Sequence, residues 1–345
     1  QNQTRYAQYL VDARESGPNS VGTVAGGVYT AFASSNLGNA TALPLSQLFV
    51  ALGSHDRHIR DDSFYNQTDL ITSLKMGTLR HDLIVGLEVG NERNAVSSSS
   101  RNLAGSSFFA VVPLTDPTYA DGAGLASTPG NVINARATTF APYVNDTITF
   151  TKEWKLVAGL RHDRFAASLS NSINTPSATS QVVDFTSVRS GLIYQPTETQ
   201  SYYVSYGTSF DPSLEALTVT NGTQSLDPEK NRSYEVGGKW DLLGGNLSVS
   251  SALFDVEKTN ARTQIATGVY DLAGDVRVRG FELGAAGRIS KRWQILVGST
   301  QLDAEIVKAA DGTQGNTPAN TPRNSASAWT TYNLTAEWEI GTGLT

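Results

Sequence analysis

The residues between His55 and Asp62 are the first place to look for chemistry. His55, Asp56, His58, Asp61 and Asp62 are all of types that bind divalent metals. Their spacing argues against a shared ion. The stretch from about Leu48 to Met76 reads as extended chain, and residues three apart on a strand point to opposite faces, so His55 and His58 cannot chelate together unless a turn intervenes. A solvated strand is the better reading, and no metal site is expected. The sequence holds no nucleophile elbow, phosphate-binding loop, dinucleotide fingerprint or zinc-hydrolase helix, so an enzyme is not expected either. Asn-X-Ser/Thr triplets at Asn2, Asn39, Asn66, Asn145, Asn221, Asn231, Asn246 and Asn333 have the form of glycan acceptors. Several fall inside predicted strands, and a chain rich in Asn, Ser and Thr produces such triplets by chance.

What positions these residues is alternation. From Ser233 the chain sets Ser233, Glu235, Gly237, Lys239 and Asp241 on one face of a strand, and Tyr234, Val236, Gly238, Trp240 and Leu242 on the other. Aromatic residues bound the apolar face at both ends, as they do where a strand meets lipid between two interfacial belts. A sandwich strand with one wet face reads the same way, so repetition has to decide. The composition suits many short strands and long polar loops: of 345 residues 17% are charged and 31 are Gly. The formal charge of −6 argues against a nucleic-acid partner, and the lack of Cys excludes a disulfide frame. No apolar run approaches the roughly 20 residues of a membrane helix.

Read in order, Gln1 to Ala13 is a strand, and Arg14 to Ser46 reads as a long loop with a frayed hairpin around Val28 to Ala33. Leu48 to Met76 is extended, Gly77 to Arg80 turns, and Leu83, Val85, Leu87 and Val89 oppose Asp82, Ile84, Gly86 and Glu88 on the return. A second long loop, Asn94 to about Asn134, leads to a strand from Arg136 to Phe150, a turn at Thr151 to Trp154, and a strand through Leu160. Strands at 185–194 and 202–207, a loop from Ser209 to Glu229, the stretch described above, and strands at 246–263, 279–289 and from Trp293 continue the rhythm. After a loop from Val307 to Pro322, a last strand runs through Ala326, Tyr332, Leu334 and Trp338. The prediction is therefore an all-β antiparallel meander of about 12 strands, with short turns at one end and mostly long loops at the other. That asymmetry favours a transmembrane β-barrel over a sandwich. Tyr234, Val236, Trp240, Phe281, Leu283, Leu334 and Trp338 are expected to face lipid, and Glu235, Lys239, Glu282 and Arg288 to line the lumen.

Several short stretches resemble signatures of TonB-dependent siderophore receptors, nearest in pattern to the catecholate type. They are Leu226-Asp227-Pro228-Glu229 with Tyr234-Glu235-Val236-Gly237, Val278-Arg279-Gly280-Phe281-Glu282, and Asn320-Thr321-Pro322-Arg323 before Ala328-Trp329-Thr330-Thr331-Tyr332. Asn66-Gln67-Thr68-Asp69-Leu70, His81 to Glu88 and Gly159 to Phe165 also match. In this reading Glu229, Glu235, Arg279, Glu282 and Arg323 are fold-determining signature positions. The resemblance implies a 22-stranded barrel closed by a plug. Residues 1–345 would be part of its barrel domain, with the plug and the last strands outside the chain. It further implies a place in the bacterial outer membrane among its lipids, a ferric siderophore as transported ligand, no cofactor of the protein's own, and the TonB complex as energising partner. A passive porin-like or other outer-membrane barrel is the alternative. An anionic, aromatic ligand calls for aromatic faces and guanidinium groups at the external mouth. Arg101, Phe108, Phe109, Tyr119 and Arg136 are the candidates, with packing inside the loops as the competing explanation of each.

Overall fold

The computed structural model describes residues 1–32, 43–118, 120, 124–171, 177–212, 228–266, 269–309 and 312–345. Tyr119, Leu226, Asp227 and the triplets at Asn39 and Asn221 lie outside these. Fifteen strands form one antiparallel sheet: β1 (Asn2–Ala25), β2 (Val28–Ala31), β3 (Phe49–Met76), β4 (Leu79–Ser100), β5 (Ala110–Pro113), β6 (Thr128–Thr149), β7 (Trp154–Asn171), β8 (Ser177–Thr197), β9 (Gln200–Asp211), β10 (Glu229–Leu242), β11 (Leu247–Ala266), β12 (Val269–Arg288), β13 (Trp293–Lys308), β14 (Asn324–Asn333) and β15 (Glu339–Leu344). Each long strand pairs with the next long strand in the chain, and the four-residue β2 and β5 extend β1 and β3. Among the described residues the sheet is open, with β15 paired only to β14.

The meander is as expected: 12 of its strands, β1, β3, β4 and β6 to β14, are ten residues or longer, and the short β2, β5 and β15 bring the total to 15. The segments 14–25, 94–100 and 128–134, read as loop, continue β1, β4 and β6. Their Gly, Ser and Asn residues do not alternate, and backbone pairing to neighbours holds them in the ladder instead: Arg14 to Gly17 lie opposite Asp56 to Gly53, and Asn94 to Ser100 opposite Asp61 to His55. The final strand is also corrected. β14 ends at Asn333, and Thr335 Oγ1 accepts the N–H groups of Glu337 and Trp338 at 3.2 and 3.1 Å, turning the chain into β15. Leu334 and Trp338 therefore belong to a turn rather than a lipid-facing strand, and Gly341 to Gly343 are already in β15.

The same hydroxyl device builds the turn before β7, where Thr151 Oγ1 accepts from Glu153 and Trp154 at 3.1 and 3.2 Å. Between β10 and β11, Gly244 and Gly245 adopt φ of 68° and 84°, which glycine reaches without steric cost. With the short turns fixed, register runs without a slip from Asn2 to Gly17 in β1, along β7 and β8, and from Arg189 to Tyr194 against β9, with one shift between Tyr194 and Thr197 beside the β8–β9 turn. One face can thus be followed from strand to strand. It carries a lower row of Trp154, Tyr194, Tyr202 and Trp240, whose rings meet in succession at 4.6, 6.5 and 5.8 Å. An upper row holds Tyr6, Phe64, Phe140, Tyr206, Tyr234 and Phe281, with Leu70, Val85, Val144, Leu160, Leu192, Val204, Val236, Leu253 and Leu283 between the rows and exposed. A ladder of Asn2, Thr4, Asn66 and Thr68 interrupts the apolar face, and its side chains satisfy one another.

Candidate functional site

At the long-loop end, β5 and the chain before it fold onto β3. Leu48, Val50, Ala51, Phe109 and Val112 are buried there, and the Phe109 amide donates to Leu52 O at 2.8 Å. Phe108 meets Tyr29 edge to face at 5.5 Å, and Tyr29 Oη lies 3.0 Å from Ser20 Oγ. Asn19 Nδ2 donates to Ser107 O at 2.7 Å, tying β1 to the same loop. Asp56 is the electrostatic centre: its buried carboxylate accepts from Arg14 Nε at 2.8 Å and Arg101 Nε at 2.6 Å. The Arg14 hydrogen bond first, and then that of Arg101, hold the Asp56 carboxyl below its ordinary range against the opposing cost of burial. Arg101 also donates to Leu125 O at 2.9 Å, so its guanidinium ties Leu125 to β3. Asp56 sits twenty residues up β3 from Met76, about 50 Å above the turn for a strand tilted by roughly 40°.

The predicted site residues thus fall into two groups. Arg101, Phe108 and Phe109 come together around β3 and β5. Arg136 does not join them: it is exposed on β6, on the sheet face that carries Phe140 and Val144. The acids and imidazoles of β3 disperse as the strand period requires. His58 Nδ1 contacts Asp12, Asp61 accepts from Asn94, and Asp62 accepts from Arg60, Gln8 and Tyr6.

The face opposite the aromatic rows carries a polar network that sequence reasoning missed. Tyr143 Oη donates to Asp69, and Gln67 Nε2 donates to Tyr143 Oη at 2.7 Å and Asp69 Oδ2 at 3.0 Å. Arg161 lies 5.7 Å from the centre of the Tyr143 ring and bridges Glu88 at 2.9 Å and Asp163 at 2.8 Å. Gly86 makes this packing possible, because a Cβ there would stand 2.3 Å from Tyr143 Cζ. A cleft of about 270 Å³ opens beside these groups, reaching Arg189 and Ser187. Alternation had assigned Glu88 to this face, but only the cross-strand register shows that four strands converge there. Further along, Tyr203 donates to Glu235, and Glu282 faces a groove with Ser250, Gly284 and Gly298. Among the other signature positions, Glu229 is buried and paired with Lys258, Arg279 Nε lies 3.4 Å from Asp255, and the Arg323 carbonyl accepts from the Leu302 amide at 2.8 Å. The arrangement is a wall with one water-wetted, charged face and one apolar face framed by aromatic rings. No helix among the described residues is long and apolar enough to cross a membrane, and such a wall crosses with strands instead.

Comparison with known proteins bears on this wall directly. The probable TonB-dependent siderophore receptor PiuA of Acinetobacter baumannii is 30% identical over 321 residues, which is 82% of this chain and 42% of that protein. The catecholate siderophore receptor Fiu of Escherichia coli is 27% identical, over 81% of this chain and 40% of that protein. The chain thus spans about two fifths of the length of these relatives, each of which is named as a receptor. The crystal structure of PiuA superposes on 99% of this chain, using 51% of its own, with a TM-score of 0.82 and 26% identity, so the meander has the fold of a siderophore-receptor barrel. The model of the TonB-dependent receptor-like β-barrel matches residues 2–345, and the chain belongs to that family.

Proposed function

We propose that residues 1–345 lie wholly within the barrel domain of an outer-membrane receptor that binds a ferric siderophore, of catecholate type, at its external mouth and imports it with energy from TonB. The observation that carries this reading is the family match across nearly the whole chain. The siderophore receptors among its relatives support the ligand class, and the two-faced wall supports a place in the outer membrane. The charged inner face, with Asp69, Glu88, Arg161 and Asp163, lines an aqueous lumen in which a plug and a passing solute meet polar groups.

Phe108 and Tyr119 are the proposed ligand contacts, and Phe109, buried against β3, anchors the chain beside Phe108. Phe108 supplies an accessible ring, while Arg101 acts by fixing the loop that presents it, since its guanidinium is already shared by Asp56 and Leu125. Arg136 is not among them, because it faces away from the lumen. The test is equilibrium binding of a panel of ferric siderophores to the full-length protein, followed by quenching of intrinsic fluorescence. Saturable binding of ferric catecholates, weakened by Phe108→Ala and Tyr119→Ala, supports the reading. An absence of saturable binding leaves a passive barrel as the better account.

A further inference from the structure

Arg93 of β4 and Arg136 of β6 are directly opposed across the sheet, on the face that carries Val85, Val89, Phe140 and Val144. Both are exposed, and neither has a hydrogen-bond or ion-pair partner among the described residues. Like charges at directly paired positions repel, and the obvious relief is withheld. Asp62 is the cross-strand partner of Arg93, but its Oδ2 takes Arg60 Nε at 2.9 Å, and its Oδ1 takes Gln8 Nε2 at 2.7 Å and Tyr6 Oη at 3.4 Å. On the far side Arg136 is opposite Ser168, and Ser168 is opposite Ser180. These small side chains leave a groove of about 690 Å³ beside the two guanidinium groups.

The height of this groove identifies its occupant. On β6 the apolar outward residues Val144 and Phe140 give way to Thr138 and then Arg136; on β4 Val85, Leu87 and Val89 give way to Asn91 and then Arg93. Arg136 stands thirteen residues above Thr149, about 35 Å for a strand tilted by roughly 40°, just past an apolar band about 25 Å tall. A lipid whose chains cover that band must set its head group at this level. We propose that the Arg93–Arg136 groove binds the phosphate-bearing head group of an outer-leaflet lipid, whose oxygens accept from both guanidinium forks and relieve their repulsion. This rests on the proposed outer-membrane location.

The probe is phosphatidic acid, a phosphate monoester lipid, titrated against phosphatidylcholine onto the full-length protein in detergent and followed by native mass spectrometry. The wild type should bind phosphatidic acid preferentially. R93Q/R136Q should weaken that binding roughly 25-fold, about fivefold per arginine, while R93K/R136K, which keeps the charges and loses the forks, should fall between the two. Ser168→Glu, which adds a carboxylate opposite Arg136 and leaves both arginines in place, should weaken it as well, so the result does not depend on assembly of the double variant. Unchanged affinity in R93Q/R136Q or in Ser168→Glu would overturn the proposal. Displacement of the lipid by inorganic phosphate at equal concentration would overturn the lipid assignment in favour of a soluble anion. Cell fractionation separates the two levels: absence of the protein from the outer membrane would remove the location and this inference together, whereas its presence there without lipid selectivity would remove this inference alone.

Discussion

Leu283 and Glu282 are neighbours in β12 that the register sends to opposite sides of the wall, and the same substitution at each should have very different consequences. Leu283 is 41% exposed, lies between Ser251 and Ser299, and stands two residues below Phe281 of the upper aromatic row. Glu282 lies between Ala252 and Thr300 and faces the groove with Ser250 and Gly284. An arginine near the bilayer midplane costs about 2 to 4 kcal/mol, or roughly 30- to 700-fold in the folding equilibrium, at 1.4 kcal/mol for each tenfold. An arginine in a wet lumen loses little hydration and should stay within about 0.5 kcal/mol of wild type. The assay is the fraction of full-length protein that is heat-modifiable in the outer membrane, with urea unfolding of refolded protein in lipid vesicles for the energy. Leu283→Arg should sharply reduce the folded fraction while Glu282→Arg leaves it near wild type. Equal damage, or greater damage from Glu282→Arg, would show that the two faces have been assigned the wrong way round.

Other predictions concern the inner face and the external end. Arg161→Met strands the buried Asp163 and the half-buried Glu88 and should destabilise the full-length barrel by about 2 kcal/mol, below the 3 to 5 kcal/mol of a fully buried pair because Arg161 is a third exposed; urea unfolding in vesicles measures it. Gly86→Val drives Tyr143 away from Asp69 and should cost about 1 to 3 kcal/mol in the same assay, more than Gly244→Ala in the exposed turn. Because the Asp56 carboxyl is held below its ordinary value of 3.8, its contribution is present above that value and is lost as pH falls through the depressed one. Hydrogen exchange of the Phe109 amide, corrected for intrinsic rate, should therefore show constant protection from pH 7 to pH 5 and loss below about pH 3.8, whereas Asp56→Asn should lose protection at every pH.

The membrane-level strands were legible because their side chains alternate, and alternation is a property of neighbours in the chain. Tyr234, Val236, Trp240, Phe281 and Leu283 share one face, and Glu235, Lys239 and Glu282 the other, as the period of two requires. The upper parts of β1, β4 and β6 were not legible, because residues such as Gly17, Pro18 and Ser97 to Ser100 carry no periodic signal and are held by pairing with partners more than 30 positions away. The Leu334 to Trp338 turn was misread for the opposite reason, since its apolar residues continue the strand pattern while Thr335 redirects the backbone. The inner-wall network needed register: Asp69, Glu88, Tyr143 and Arg161 come from four strands, and nothing local marks them as neighbours. Arg101 and Arg136 looked alike as basic residues near a mouth. Their separation follows from Asp56 capturing Arg101, while β6 holds Arg136 opposite Arg93 and away from that carboxylate.

Energised uptake of a ferric siderophore can be followed as radioactive iron, delivered as a ferric catecholate, entering cells that express the full-length protein with and without TonB. Accumulation should require both the receptor and TonB and fall to the background of receptor-deficient cells when TonB is deleted. Accumulation that persists unchanged without TonB would contradict energised uptake and assign the barrel to passive entry.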